Sequence, residues 1–233
     1  LPTPRSHIHA VYEAFVGLSE VDGAMIPRLA TDWSMSADGT QWIFDVRKGV
    51  EFHFGYGEMT SADLRHTWER DTSDEAINAD HLTWQGVIAT AEDIDISDPY
   101  KVIFNMSRPE PDLLYSAAGR NSAMTLMQSK AQWDDVGGDT DAIRARPAGT
   151  GSWSLNAHKG GESFLFDRVE NHWRQTPAFK QMAFIYSPEE ATRLAMLVTG
   201  EVHMADLSRQ LQESALAVGM ARVTAFIPGS GIN

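Results

Sequence analysis

Asp38-Gly39-Thr40-Gln41-Trp42-Ile43-Phe44-Asp45-Val46-Arg47-Lys48-Gly49-Val50-Glu51-Phe52-His53 carries the organising signal of the chain. Asp38-Gly39 is a hairpin-type turn between Trp33-Ser34-Met35 and the run that starts at Gln41. In that run Trp42, Phe44 and Val46 alternate with Gln41, Asp45 and Arg47. A period of two places the three apolar side chains on one face of a strand, although Ile43 interrupts the polar face. Gly49 ends it.

Upstream, Ile8, Val11, Tyr12, Phe15 and Val16 fall at helical spacing and predict a helix with one stripe toward a core. Asp22-Gly23 marks a turn, and Pro27 opens a short segment through Leu29 and Ala30. Downstream, Thr60-Ser61-Ala62-Asp63 reads as a helix start. Thr60 can cap it, and Asp63 sits at the positive end of the helix dipole. Leu64, Thr67 and Trp68 would then face inward. A strand is predicted over 101–106 after the turn Asp98-Pro99, with Val102, Phe104 and Met106 on one face. Pro109 and Pro111 bracket a loop before a helix through Leu113, Leu114 and Ala117.

Residues 133–146 are rich in Asp and Gly and read as a connection between subdomains. A hairpin follows, with strands at 153–155 and 163–166 flanking His158-Lys159-Gly160-Gly161, and then a strand at 181–186. Ser187-Pro188-Glu189-Glu190 has the residues of a capping box. The helix after it is expected to bury Ala191, Leu194, Ala195 and Val198 and to stop at Gly200. A strand at 202–205, a helix at 208–218 and a strand at 223–227 are predicted to follow. Strands and helices alternate here, which predicts an α/β layer.

The 233 residues carry a formal charge of −13, contain no cysteine and are 42% hydrophobic. The charge argues against nucleic acid, whose phosphates it would repel. Without cysteine there is neither a disulfide nor thiolate chemistry. No apolar run reaches the roughly 18 residues that a spanning helix needs. The opening Leu1-Pro2-Thr3-Pro4-Arg5 is not a charged segment followed by an apolar one, which suits a cytoplasmic chain or one whose targeting segment has been removed.

Enzyme motifs are missing. There is no G-x-S-x-G elbow, and Gly149-Thr150-Gly151 lacks the Lys-Ser/Thr that would complete a phosphate loop. His7 and His9 are two apart on a predicted helix and point to different faces, and the remaining histidines are scattered, so no metal site is expected. The carboxylate clusters lack calcium-loop spacing and read as solvated faces. Among seven tryptophans, Trp42 and Trp68 read as core anchors, and Trp84 as the one facing a cleft.

Four stretches in order resemble the family 5 extracellular solute-binding proteins, which deliver peptides, nickel chelates, opines and some sugars to ABC importers. They begin with Val11-Tyr12-Glu13-Ala14-Phe15-Val16 and Pro27-Arg28-Leu29-Ala30-Thr31-Asp32-Trp33. The second is the opening stretch quoted above, continued by Met59-Thr60-Ser61-Ala62-Asp63-Leu64. Then come Pro147-Ala148-Gly149-Thr150-Gly151-Ser152-Trp153 with Arg168-Val169-Glu170-Asn171-His172-Trp173, and finally Gly200-Glu201-Val202-His203-Met204-Ala205-Asp206. The chain departs from the family at Phe54 and His203, where an aspartate is usual, and at Ser152-Trp153, where Pro-Tyr is usual.

The resemblance implies an α/β fold: the first lobe of a type II periplasmic-binding-protein-like molecule, with an inserted α+β subdomain and the second lobe absent from this chain. Residues 1–15 and 129–233 would form the base of the lobe, and 16–128 the inserted subdomain. It implies a non-catalytic, monomeric protein without cofactor, periplasmic or lipid-anchored at the cell surface after loss of a signal peptide. Its partners would be a peptide or similar small polar solute and the permease subunits of an ABC transporter. Ligand contacts are expected at Pro2 and Pro4, at Asp80, His81 and Trp84, at Asp206, Leu207 and Ser208, and at Pro228 and Ser230. A metal-chelate or haem carrier of the same fold is the alternative, and a hydrolase is disfavoured. Half a cleft by itself implies weak or no affinity.

Overall fold

The computed structural model describes residues 8–19, 21–73, 88, 90–114 and 126–223. Its centre is a four-stranded antiparallel sheet in the order β3-β4-β6-β5, built from β3 (Ala30–Met35), β4 (Gln41–Val46), β5 (Ile94–Asp98) and β6 (Lys101–Asn105). Asp38 shapes the β3–β4 turn, taking hydrogen bonds from the Ser36 hydroxyl at 2.6 Å and the Thr40 amide at 3.1 Å. The register sets Trp42 opposite Phe104 and Phe44 opposite Val102. These four side chains and Val46 are buried, as the alternation predicts. Each such burial contributes about 1.5–3 kcal/mol.

Helix α2 (Ser61–Thr72) lies against this sheet and buries Leu64, Thr67 and Trp68. The Asp63 carboxylate accepts the Thr60 amide at 2.9 Å and reaches across to the Lys130 amide at 3.0 Å. One side chain thus starts α2 and pins a segment 67 positions later. Of the helix expected through Ala117, Leu113 and Leu114 are helical and the remainder lies outside the described residues.

The predicted amino-terminal helix is only the short α1 (Ile8–Val11), because Val16–Leu18 forms β1 and pairs antiparallel with β2 (Met25–Pro27). Sheet pairing overrides the helical spacing at Phe15 and Val16, both of which are still buried. The segment 133–146 is likewise more than a connection. It carries the second half of α3 (Lys130–Asp135) and all of α4 (Thr140–Ala145), whose first amides bond to the side chains of Ser129 and Asp139.

A second, three-stranded antiparallel sheet follows, with β7 (Trp153–Lys159), β8 (Ser163–Arg168) and β9 (Gln181–Ile185) in sequence order. It packs on α1, and Ala10, Val11, Leu155 and Phe166 make a core of their own beside the larger one, which runs from Phe15 to Met127. Helices α5 (Glu190–Thr199) and α6 (Arg209–Ala217) follow this sheet in the chain.

Three expectations fail in this last part. The capping box at Ser187 does not form: Glu189 holds the N-cap position, and the carbonyls of Ser187 and Pro188 are turned onto Arg193. Helix α5 buries no residue fully, and Ala191, Ala195 and Val198 are exposed, because the described chain packs nothing over that side. Residues 202–205 form no strand; the amides of Glu201 and Val202 are both used in closing the end of α5 on the Met196 carbonyl. Of the strand predicted at 223–227, only the exposed Val223 lies within the described residues.

Candidate functional site

The loop at 206–208 joins α5 to α6 and is the one candidate contact region within the described residues. Leu207 is buried and anchors it, while Asp206 and Ser208 face solvent. The Leu207 carbonyl accepts from the Gln212 amide group at 2.7 Å, and the Ser208 carbonyl accepts the Gln212 backbone amide at 2.9 Å. From the other side the Glu190 carboxylate accepts the Ser208 amide at 3.2 Å. Arg193 donates to the Asp206 carbonyl at 2.9 Å. The result is a short fixed loop that presents a carboxylate, a hydroxyl and the first amides of α6, groups suited to hydrogen-bonding a polar solute. Pro2, Pro4, Asp80, His81, Trp84, Pro228 and Ser230 lie outside the described residues.

A second polar constellation, which the sequence reading did not single out, joins the two cores. Glu13 is buried and accepts hydrogen bonds from Trp173 Nε1 at 2.7 Å and from Arg174 at 2.9 Å. His172 Nε2 stands 3.6 Å from the same carboxylate and 2.9 Å from the Thr150 carbonyl. The His172 Nδ1 accepts from the amides of Arg174 and Gln175, both at 3.3 Å, so the ring proton belongs on Nε2. Burial works against the charge on Glu13, but the hydrogen bonds from His172, Arg174 and Trp173 outweigh it and hold the carboxyl below its ordinary range.

Arg47 lies 4.7 Å over the Trp173 ring and donates to the Arg28 carbonyl at 2.7 Å. His53 Nε2 meets the Gly151 carbonyl at 2.7 Å, and burial, its largest influence, pushes that imidazole down. The glycines of 149–151 are required by close approach. A Cβ on Gly149 would stand 2.0 Å from the Val11 carbonyl oxygen, and one on Gly151 would stand 2.4 Å from that of Ala10. Three of the four stretches that carry the resemblance therefore converge on one buried junction. The signal was present as co-occurring motifs, but no local pattern pairs Glu13 with Trp173.

Among the described residues no three His, Asp or Glu side chains gather as a metal-ligand set, and no helix is long and apolar enough to cross a membrane.

The fold is that of the type II periplasmic binding proteins. The dipeptide-binding protein from Pseudoalteromonas sp. SM9913 in complex with Met-Leu superposes with a TM-score of 0.79 at 24% identity, over 92% of this chain and 45% of that one. Residues 24–231 match the model of the bacterial extracellular solute-binding proteins, family 5 Middle, and the chain belongs to that family. The nickel-binding periplasmic protein of Escherichia coli (strain K12) is 26% identical over 205 residues, 83% of this chain and 35% of that protein. The dipeptide-binding protein of the same organism is 23% identical over 219 residues, 86% of this chain and 40% of its own length. The chain thus spans well under half the length of these relatives. The family and these relatives are binding proteins rather than enzymes.

Proposed function

We propose that this chain is the first-lobe part of an extracytoplasmic receptor that captures a peptide or similar small polar solute and passes it to an ABC importer without chemical change. The observation that carries the reading is the family match across 24–231. Residues 1–15 and 129–233 serve as the base of the lobe and 16–128 as its inserted subdomain, in keeping with the two cores on either side of Glu13. The receptor works as a monomer whose external partners are the solute and the permease. Loop 206–208 is its contact with solute backbone, through hydrogen bonds rather than side-chain pockets.

The test is a titration of the ¹⁵N-labelled chain with di- and tripeptides. Saturable, weak shifts at 206–208 support the reading. A tight, stoichiometric calorimetric isotherm with this chain alone would contradict the half-cleft, and turnover of chromogenic ester or peptide substrates would contradict a purely binding role. A nickel chelate is the second reading, favoured by the nickel-binding relative. Quenching of tryptophan fluorescence that depends on the metal would select it.

A further inference from the structure

Arg193 makes a pattern that neither helix nor sheet formation explains. It lies on the first turn of α5 with its side chain 13% exposed. Its Nη1 donates to the carbonyls of Ser187 at 2.7 Å and Pro188 at 2.8 Å, while its Nε donates to that of Asp206 at 2.9 Å. Three carbonyl oxygens from two separate loops converge on one guanidinium. Their dipoles repel one another, so the arrangement holds only around a cation with donors fixed in a plane. Glu190 completes the clamp. Its Oε1 stands 3.6 Å from Arg193 Nη2 and accepts the Ser208 amide at 3.2 Å. The same side chains that shift the start of α5 away from Ser187 therefore set the path of 206–208.

We infer that Arg193 is a positioning residue for solute capture: by clamping the Asp206 carbonyl to the turn before α5, it fixes the geometry in which loop 206–208 meets the solute backbone. The inference rests on the reading that this loop contacts the solute. Arg193 does not itself touch solute; it acts through the loop. Lysine carries the charge but only one nitrogen, which cannot span carbonyls from both loops in one plane. Arg193→Lys should therefore keep much of the stability and lose the positioning.

The experiment compares the unchanged chain with Arg193→Lys and Arg193→Gln, by amide hydrogen exchange and by titration with the dipeptide Met-Leu and with tri-alanine. In Arg193→Gln the Ser208 amide should exchange at least about tenfold faster, with amides of β7 and β8 unchanged. Both variants should bind the probe at least about fivefold more weakly, and Arg193→Lys should do so with a melting temperature close to that of the unchanged chain. Unchanged exchange at Ser208 in Arg193→Gln overturns the clamp. Faster exchange with undiminished probe affinity reduces Arg193 to a brace and overturns its role in capture. If neither probe shifts 206–208 in the unchanged chain, the reading beneath the inference fails and takes the inference with it.

Discussion

His53 and Gly151 are 98 positions apart and share a buried hydrogen bond of 2.7 Å between the ring Nε2 and the backbone carbonyl. It forms only because 149–151 lies flat against the carbonyls that end α1, and that approach tolerates no side chain. Gly149→Ala should destabilise the chain by at least about 3 kcal/mol, since the contact is backbone and cannot swing aside. Gly160→Ala, at a hairpin tip with nothing within 4 Å of the added methyl, should stay within about 0.5 kcal/mol. Urea denaturation of both variants decides it; equal losses would mean the tight approach does not matter.

Glu13→Gln should cost about 2–4 kcal/mol, because it removes the charge facing Arg174 and His172 and leaves donors competing for one amide oxygen. A midpoint indistinguishable from that of the unchanged chain would show the junction to be energetically idle. The same carboxyl, held below its ordinary 4.5, contributes stability that is present above that value and lost as pH falls through its folded value.

His66 gives a separate acid response at higher pH. It is buried on α2 with its ring 5.7 Å from that of Trp133. Burial, followed by the charges of Lys130 and Arg70, pushes its imidazole from 6.5 down to about 4, with Asp134 opposing. Between those values the unfolded chain binds a proton that the folded chain does not. Its contribution is therefore complete above 6.5 and declines as pH falls toward 4. The loss should be on the order of 2 kcal/mol after solvent screening. His66→Leu should flatten the dependence of unfolding free energy on pH across that window, leaving a residual slope from His53. An unchanged slope would remove His66 as the cause.

Phe54 sits at φ 62°, in the left-handed region where Asp and Asn are better tolerated than bulky residues. It is also a position where the resembled family usually has an aspartate. Its ring is stacked 4.1 Å beneath the Arg146 guanidinium, a contact worth about 0.5–1 kcal/mol. Phe54→Asp should relieve the backbone, replace the stack by a charge pair and leave thermal stability within about 1 kcal/mol of the unchanged chain. Phe54→Leu, which keeps the strain and loses the stack, should be the less stable of the two. The reverse order of melting temperatures would refute this account.

How much could be read from the residues alone depends on the range of the interaction. Alternation at Trp42, Phe44 and Val46, and at Val102 and Phe104, gave β4 and β6, because a face buried on one side leaves a period of two, whereas β5 (Ile94–Asp98) was not read as a strand. The start of α2 was visible because its cap is contained in four consecutive residues. Val16–Leu18 was missed because its pairing with Met25–Pro27 lies outside any local window. The helices within 130–145 were hidden because they are short and flanked by Asp and Gly, so composition spoke more loudly than their caps. Ser187–Glu190 misled for the opposite reason: a sound local motif lost to Arg193, whose reach to Asp206 spans 13 residues. For the candidate site, the family resemblance supplied the loop 206–208, while Glu13, His172 and Arg174 could be joined only in three dimensions.

The 160 positions between Glu13 and Trp173 also set a timetable. At ordinary rates of synthesis the carboxylate leaves the ribosome roughly 10–30 s before the indole that will cover it. During that interval the strands of the larger core can assemble, but α1 has neither β7 nor β8 to lie on. The joining of the two cores thus waits on that interval, and the nascent polypeptide must keep Glu13 unclaimed until Trp173 has been made.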